Sequence, residues 1–241
     1  MKIKLTITYD GSDYFGSQIQ PDQITVESAL LKAFSVLNIT TNLEFSGRTD
    51  RGVHAFRQVV SCCVPKHFDN LPKLKNILNK ILPSTIFVRN IQKVQDDFHA
   101  RFDATKREYR YLFTNKPTTP FNYKYITYID FDIDPKLIKE ASEVFVGVHD
   151  FEYFSKTGSS PNSTIRQIYR IDFYKYRDIF VLRFQANGYL RSQIRMITAS
   201  IFAVNQHKLT IQDIKNQLNK TTKTKIKPAN PNGLYLSRVL Y

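Results

Sequence analysis

The chain has 241 residues, with 35 Lys and Arg against 21 Asp and Glu, a formal net charge of +14. A 42% apolar fraction with 18 Phe and 14 Tyr excludes an intrinsically disordered chain and supplies material for one or two packed domains. Residues 179–241 hold ten basic residues and one acid, Asp213, so a polyanion is the expected partner, nucleic acid ahead of a membrane surface.

The opening MKIKLTITYDG alternates apolar and polar residues and predicts a strand over 2–9, with Ile3, Leu5, Ile7 and Tyr9 on one face. It has no apolar signal-peptide core, and no apolar run approaches the ~20 residues that span a bilayer. A cytoplasmic protein is expected. Thr25 caps a helix predicted over 25–37, with Val26, Ala29, Leu30, Ala33, Phe34 and Leu37 at three- and four-residue spacing. The stretch SGRTDRGVHAF, residues 46–56, reads as a loop, and 58–64 as a buried strand. Within it, Cys62 and Cys63 are neighbours on opposite faces, poorly placed for a disulfide with each other. With no zinc spacing and no paired histidines, no metal and no cofactor are expected.

Leu71, Leu74, Ile77, Leu78, Ile81 and Leu82 form a second helical stripe, stopped by Pro83. Strands are predicted over 86–94 and 107–114, then a turn-rich boundary at 115–120. Asp134 with Pro135 opens a third helix. A hairpin around Arg177 and Asp178 joins 164–175 to 179–186. Leu190, Ile194, Ile197, Ile201 and Val204 mark a long helix, Thr210 and Asp213 box the start of a short one, and 234–240 is a final strand. Segment 220–227 reads as a solvated basic loop. Successive strands mixed with helices in both halves predict an α+β fold with largely antiparallel sheets, divided as 1–116 and 117–241.

Three segments carry chemistry. In the 46–56 loop, Arg48, Asp50 and Arg51 lie between Gly47 and Gly52. A carboxylate between two guanidiniums suits a nucleophile or base beside phosphates; a structural Asp turn with surface arginines fits equally. In 97–113, Arg101, Lys106, Arg107 and Arg110 alternate with Phe98, Phe102, Tyr109 and Tyr111. That mixture suits phosphate contacts and base stacking, or an amphipathic strand with core tyrosines. In 187–201, Arg191 and Arg195 are four apart and so share one helical face, beside the core-facing Leu190, Ile194 and Ile197; that suits pairing with a buried carboxylate such as Asp50, or two solvated helix arginines. In 8–21, Gln18 and Gln20 are available to bond bases.

Together these segments resemble the bacterial TruA-type tRNA pseudouridine synthases. The resemblance rests on YDGxxYxGxQ (9–18), GRTDxGVHA (47–55), FHARFxATxRxYRY (98–111), HDFxxF (149–154), TIRxI (164–168), GYLRxQIR (188–195) and GLYL (233–236). It implies a cofactor-free isomerase acting on uridines 38, 39 and 40 of the tRNA anticodon stem–loop. It implies two similar α+β halves around a central basic cleft, and a homodimer in which each tRNA touches both subunits. On this pattern Asp50 matches the essential aspartate, Arg48 the arginine beside it, Arg195 the arginine that pairs with it, and Tyr109 the tyrosine that stacks on the target base. Arg51, Arg101, Arg107, Arg191 and Gln18 are further candidates for binding tRNA. Ser17, Ser46 and Arg51 depart from the usual pattern. A non-catalytic tRNA-binding protein or chaperone and an Mg²⁺-dependent nuclease are the competing classes; a nuclease normally wants several clustered carboxylates.

Overall fold

In the computed structural model the described residues are 1–156, 158 and 162–241. They form two compact units, Met1–Thr105 with Tyr235–Tyr241, and Lys106–Leu234.

The first unit runs β1 (Lys2–Tyr9), α1 (Val26–Val36), β2 (Glu44–Phe45), β3 (His54–Cys63), α2 (Leu71–Ile81) and β4 (Ile86–Lys93). The second contributes β5 (Lys106–Thr114), β6 (Thr127–Tyr128), α3 (Pro135–Glu143), β7 (Gly147–Asp150), β8 (Ile165–Tyr176), β9 (Ile179–Ala186), α4 (Gln193–Asn205) and α5 (Ile211–Leu218). The closing strand β10 (Leu234–Leu240) carries the chain back into the first unit.

In the first unit β1 lies antiparallel between β4 and β3, and β10 runs parallel to β3 on its other side. Alternation sets the two faces: Ile3, Leu5, Ile7 and Tyr9 are buried, while Lys4, Thr6 and Thr8 lie on the other side of β1. Helices bury Leu30 and Phe34 of α1 and Leu74 and Leu78 of α2. Thr25 caps α1 in a reciprocal box with Ser28. The Asn79 amide of α2 bonds both the N–H and the carbonyl of Val88, fixing helix to strand. Cys62 is buried and Cys63 exposed, as strand alternation requires, and burial pushes the Cys62 thiol up to about 12.

In the second unit the order is β5-β9-β8-β7, all antiparallel, with short β6 parallel to β5. Tyr111, Phe113 and Phe184 fill its core with Ile197 and Ile201 of α4. The caps at Asp134 and Thr210 form as their sequences predict.

Two expectations need correction. The strand expected over 58–64 begins earlier, at His54, because Ala55 pairs with Tyr9 and Leu236, partners distant in sequence. The long helix does not run through Leu190. It starts at Gln193, after Ser192 in left-handed backbone (φ 58°), and the Gln193 side-chain oxygen accepts from the Leu190 N–H. Arg191 therefore precedes the helix, and it shares no helical face with Arg195.

Candidate active site

Asp50 sits half-buried between β2 and β3, in a loop clamped by the first loop of the chain. Ser17 N–H donates to the Thr49 carbonyl at 3.1 Å, and Thr49 N–H donates back to Ser17 Oγ at 2.9 Å. Tyr9 and Thr49 hydroxyls meet at 2.9 Å, and Gly52 N–H reaches the Tyr14 carbonyl at 3.4 Å. From below, Ser46 Oγ donates to Gln58 Oε1 at 2.6 Å, and Gln58 Nε2 donates to the Gly47 carbonyl at 2.8 Å. Ser17, Ser46 and Gln58 are all buried, so these bonds are poorly exchanged for water. Ser17 and Ser46 are thus both part of the clamp.

Two glycines let the loops approach this closely. A Cβ on Gly11 would stand 2.0 Å from the Val53 carbonyl oxygen, and one on Gly16, at φ +98°, 2.7 Å from that of Thr49. Gly11 N–H donates to His54 Nδ1 at 3.0 Å, which requires a lone pair there. Asp10 Oδ1 lies 3.2 Å from the same nitrogen.

Arg48 and Arg51 flank Asp50 and are exposed, with the Arg51 guanidinium 4.0 Å from the Phe15 ring centroid. Gln18 is half-buried. Burial pushes the Tyr9 hydroxyl up to about 12, so it stays neutral at working pH. Asp50 is the one carboxylate residue of the 46–53 loop.

The FHARF segment is seated in the same unit by the C-terminal residue. The Tyr241 hydroxyl donates to the Ala100 carbonyl at 2.8 Å, its ring lies 5.1 Å from that of Phe98, and Lys4 sits over both rings. Arg101 is exposed beside Phe102, itself 73% exposed.

The remaining candidates belong to the second unit. Tyr109, opposite Phe184 in the β5–β9 ladder, is only 6% exposed and meets Tyr189 edge-on at 5.3 Å. The buried Tyr189 hydroxyl has no hydrogen-bond partner among the described residues, and burial, then the neighbouring Tyr109, raises its pKa well above the ordinary value. In the sequence Tyr189 is marked only as a member of the GYLRxQIR segment. Arg107 donates to the Asn187 carbonyl at 2.7 Å. Arg195 Nε donates to the Ala229 carbonyl at 2.7 Å, and Ala229 N–H returns to the Arg195 carbonyl, which ties the loop before β10 to α4. Arg191 is exposed. Among the described residues no three His, Cys, Asp or Glu side chains are grouped to hold a metal ion, and no helix is long and apolar enough to cross a membrane.

A family model described as tRNA pseudouridine synthase matches residues 5–103 and 141–241. The tRNA pseudouridine synthase A of Campylobacter jejuni subsp. jejuni is 41% identical over 242 residues, covering 100% of both chains. That of Wolinella succinogenes is 39% identical over 235 residues, covering 98% of this chain and 92% of its own. That of Listeria monocytogenes is 35% identical over 251 residues, covering 100% and 99%.

Proposed function

Since this chain belongs to the tRNA pseudouridine synthase family, and is an enzyme that isomerises uridine to pseudouridine, we propose that it acts on uridines 38, 39 and 40 of the tRNA anticodon stem–loop with Asp50 as nucleophile. The observation that carries this reading is the clamped loop, whose backbone is fixed at Gly47 and Thr49 and which carries one carboxylate residue, Asp50, with the exposed Arg48 and Arg51 on either side of it in sequence.

The target base lies in or beside a stem and must be extruded before any group can reach its glycosidic bond. Arg48 and Arg51 hold the displaced backbone through its phosphates. The Asp50 carboxylate attacks the sugar anomeric carbon and the bond to uracil N1 breaks, leaving uracil with the bonding pair. Uracil turns in place, its C5 attacks the same carbon, and the carboxylate departs. Loss of the C5 proton and gain of a proton at N1 balance the isomerisation, and no redox partner is needed. Tyr109 stacks on the extruded base, Arg195 pairs with Asp50, and Arg101, Arg107, Arg191 and Gln18 contact the rest of the tRNA. Tyr109 is nearly covered here, with Tyr189 edge-on against it, so engaging the base requires that ring to be uncovered. We place the enzyme in the cytoplasm as a homodimer, without metal or cofactor.

Asp50→Asn keeps the size and one acceptor oxygen but removes the charge. It is expected to abolish tritium release from tRNA carrying 5-tritiated uridine, while tRNA affinity and melting temperature stay close to those of the parent. Substantial residual turnover would remove Asp50 from the chemistry.

A further inference from the structure

The face of the first unit's sheet opposite the helix-packed core carries a second basic feature, distinct from the Asp50 loop. Arg57 of β3, Arg89 of β4 and Arg238 of β10 line one groove of about 350 Å³ together with Thr6, Val59, Asn90 and Val239. All three arginines are exposed, and Val59 is covered. Tyr235 pairs with His54 and Leu236 with Ala55, so continuing that parallel register two residues brings Arg238 level with Arg57. The Thr8 hydroxyl donates to the Phe56 carbonyl at 2.7 Å and accepts from Arg89 at 3.5 Å, which links the third guanidinium to the same site.

No carboxylate lines this groove, and among the described residues none of the three arginines is in an ion pair. Like charges set opposite each other on a sheet are destabilising. Here three strands present them together on a rigid surface. An anion that fits the groove turns this repulsion into binding energy, and a planar guanidinium bonds phosphate oxygens two at a time.

We propose that Arg57, Arg89 and Arg238 form a seat for the phosphodiester backbone of the tRNA, on the open sheet face and separate from the residues that handle the target base. The proposal rests on tRNA being the substrate. It reads backbone charge and not sequence, so it adds affinity uniformly across tRNAs.

The test uses the full-length protein and an unmodified tRNA transcript, with affinity measured by fluorescence anisotropy between 50 and 200 mM KCl. In Arg57→Gln/Arg89→Gln/Arg238→Gln the slope of log affinity against log salt should flatten by about 2–3, roughly 0.9 for each lost phosphate contact. The rate at saturating tRNA should stay that of the parent while KM rises. Relief of the repulsion should leave the melting temperature no lower. If the triple variant does not fold, each single Gln variant should flatten the slope by about 0.9. Lys73→Gln/Lys75→Gln/Lys80→Gln, on α2, removes the same charge elsewhere and should leave the slope alone.

An unchanged slope in the arginine variant overturns the proposal, and so does an equal change in the lysine control, which would mean bulk charge alone. Inorganic phosphate at matched ionic strength separates the remaining source. If it raises the melting temperature of the parent but not of the arginine variant while the tRNA slopes agree, the groove is a small-anion site and the proposal fails. Failure of the proposed chemistry would instead appear as retained turnover in Asp50→Asn, with the salt slopes unaffected.

Discussion

Asp172 shows how single residues here are held by charge. Arg170 grips it through two bonds of 2.7 and 2.8 Å, and Arg183, its partner across the β8–β9 ladder, adds a third at 2.8 Å. Burial pushes the carboxyl up, but the bonds from Arg170 and Arg183 outweigh it and hold the group below the ordinary carboxylate value. A depressed folded pKa stabilises the protein above the unfolded value near 3.9, and that contribution fades as pH falls through the lower folded value. Asp172→Asn should therefore cost about 0.5–1 kcal/mol at pH 7, a small amount because the ring of charges is partly solvated. Melting curves at pH 7, 5 and 3 should show the gap between variant and parent closing only below about pH 4. The arginine and the aspartate are each legible as charged strand residues, but their bidentate geometry depends on the register of two strands.

At the scale of elements, the loop carrying Asp50 is a product of two segments about 30 residues apart in sequence. Gly47, Asp50 and Gly52 announce an unusual loop from sequence alone. What holds it does not: Ser17 and Ser46 read as departures from a family pattern, and only in the fold do they meet Thr49 and Gln58. Ser17→Ala leaves the Thr49 N–H buried and unpaired, which should cost about 1–3 kcal/mol. Calorimetry should record a fall of about 2–4 °C for each kcal/mol. Turnover should fall while tRNA affinity holds, because the loop loses its position before the unit loses its fold. An unchanged melting temperature would show that the clamp is redundant. Arg191 illustrates the opposite error. Its spacing from Arg195 suits a helix, but the left-handed Ser192 starts the helix two residues too late for the two to share it.

For the whole molecule, the +14 charge indicated a polyanion before any motif was considered. The fold sorts that charge. Arg48 and Arg51 stand beside Asp50, Arg195 is bonded to the loop that leads into β10, and Arg57, Arg89 and Arg238 share a groove on one sheet face. Sedimentation velocity at micromolar concentration should give twice the 28.1 kDa chain mass if the proposed homodimer forms, and a species at the chain mass would refute it.

The amino-acid order by itself determined the α+β character, the capped helix starts at Thr25, Asp134 and Thr210, and the family to which the chain belongs. All of these depend on neighbours a few residues away: strand alternation, helical spacing, side-chain caps and the residue types a reaction needs. The tertiary structure decided the rest. It returned β10 to the first unit, where its pairing helps start β3 at His54, and it made two unremarkable serines into a clamp. It also brought arginines from positions 57, 89 and 238 to one groove. These features join residues far apart in the chain, and local propensity carries no information about which distant strand will supply the partner.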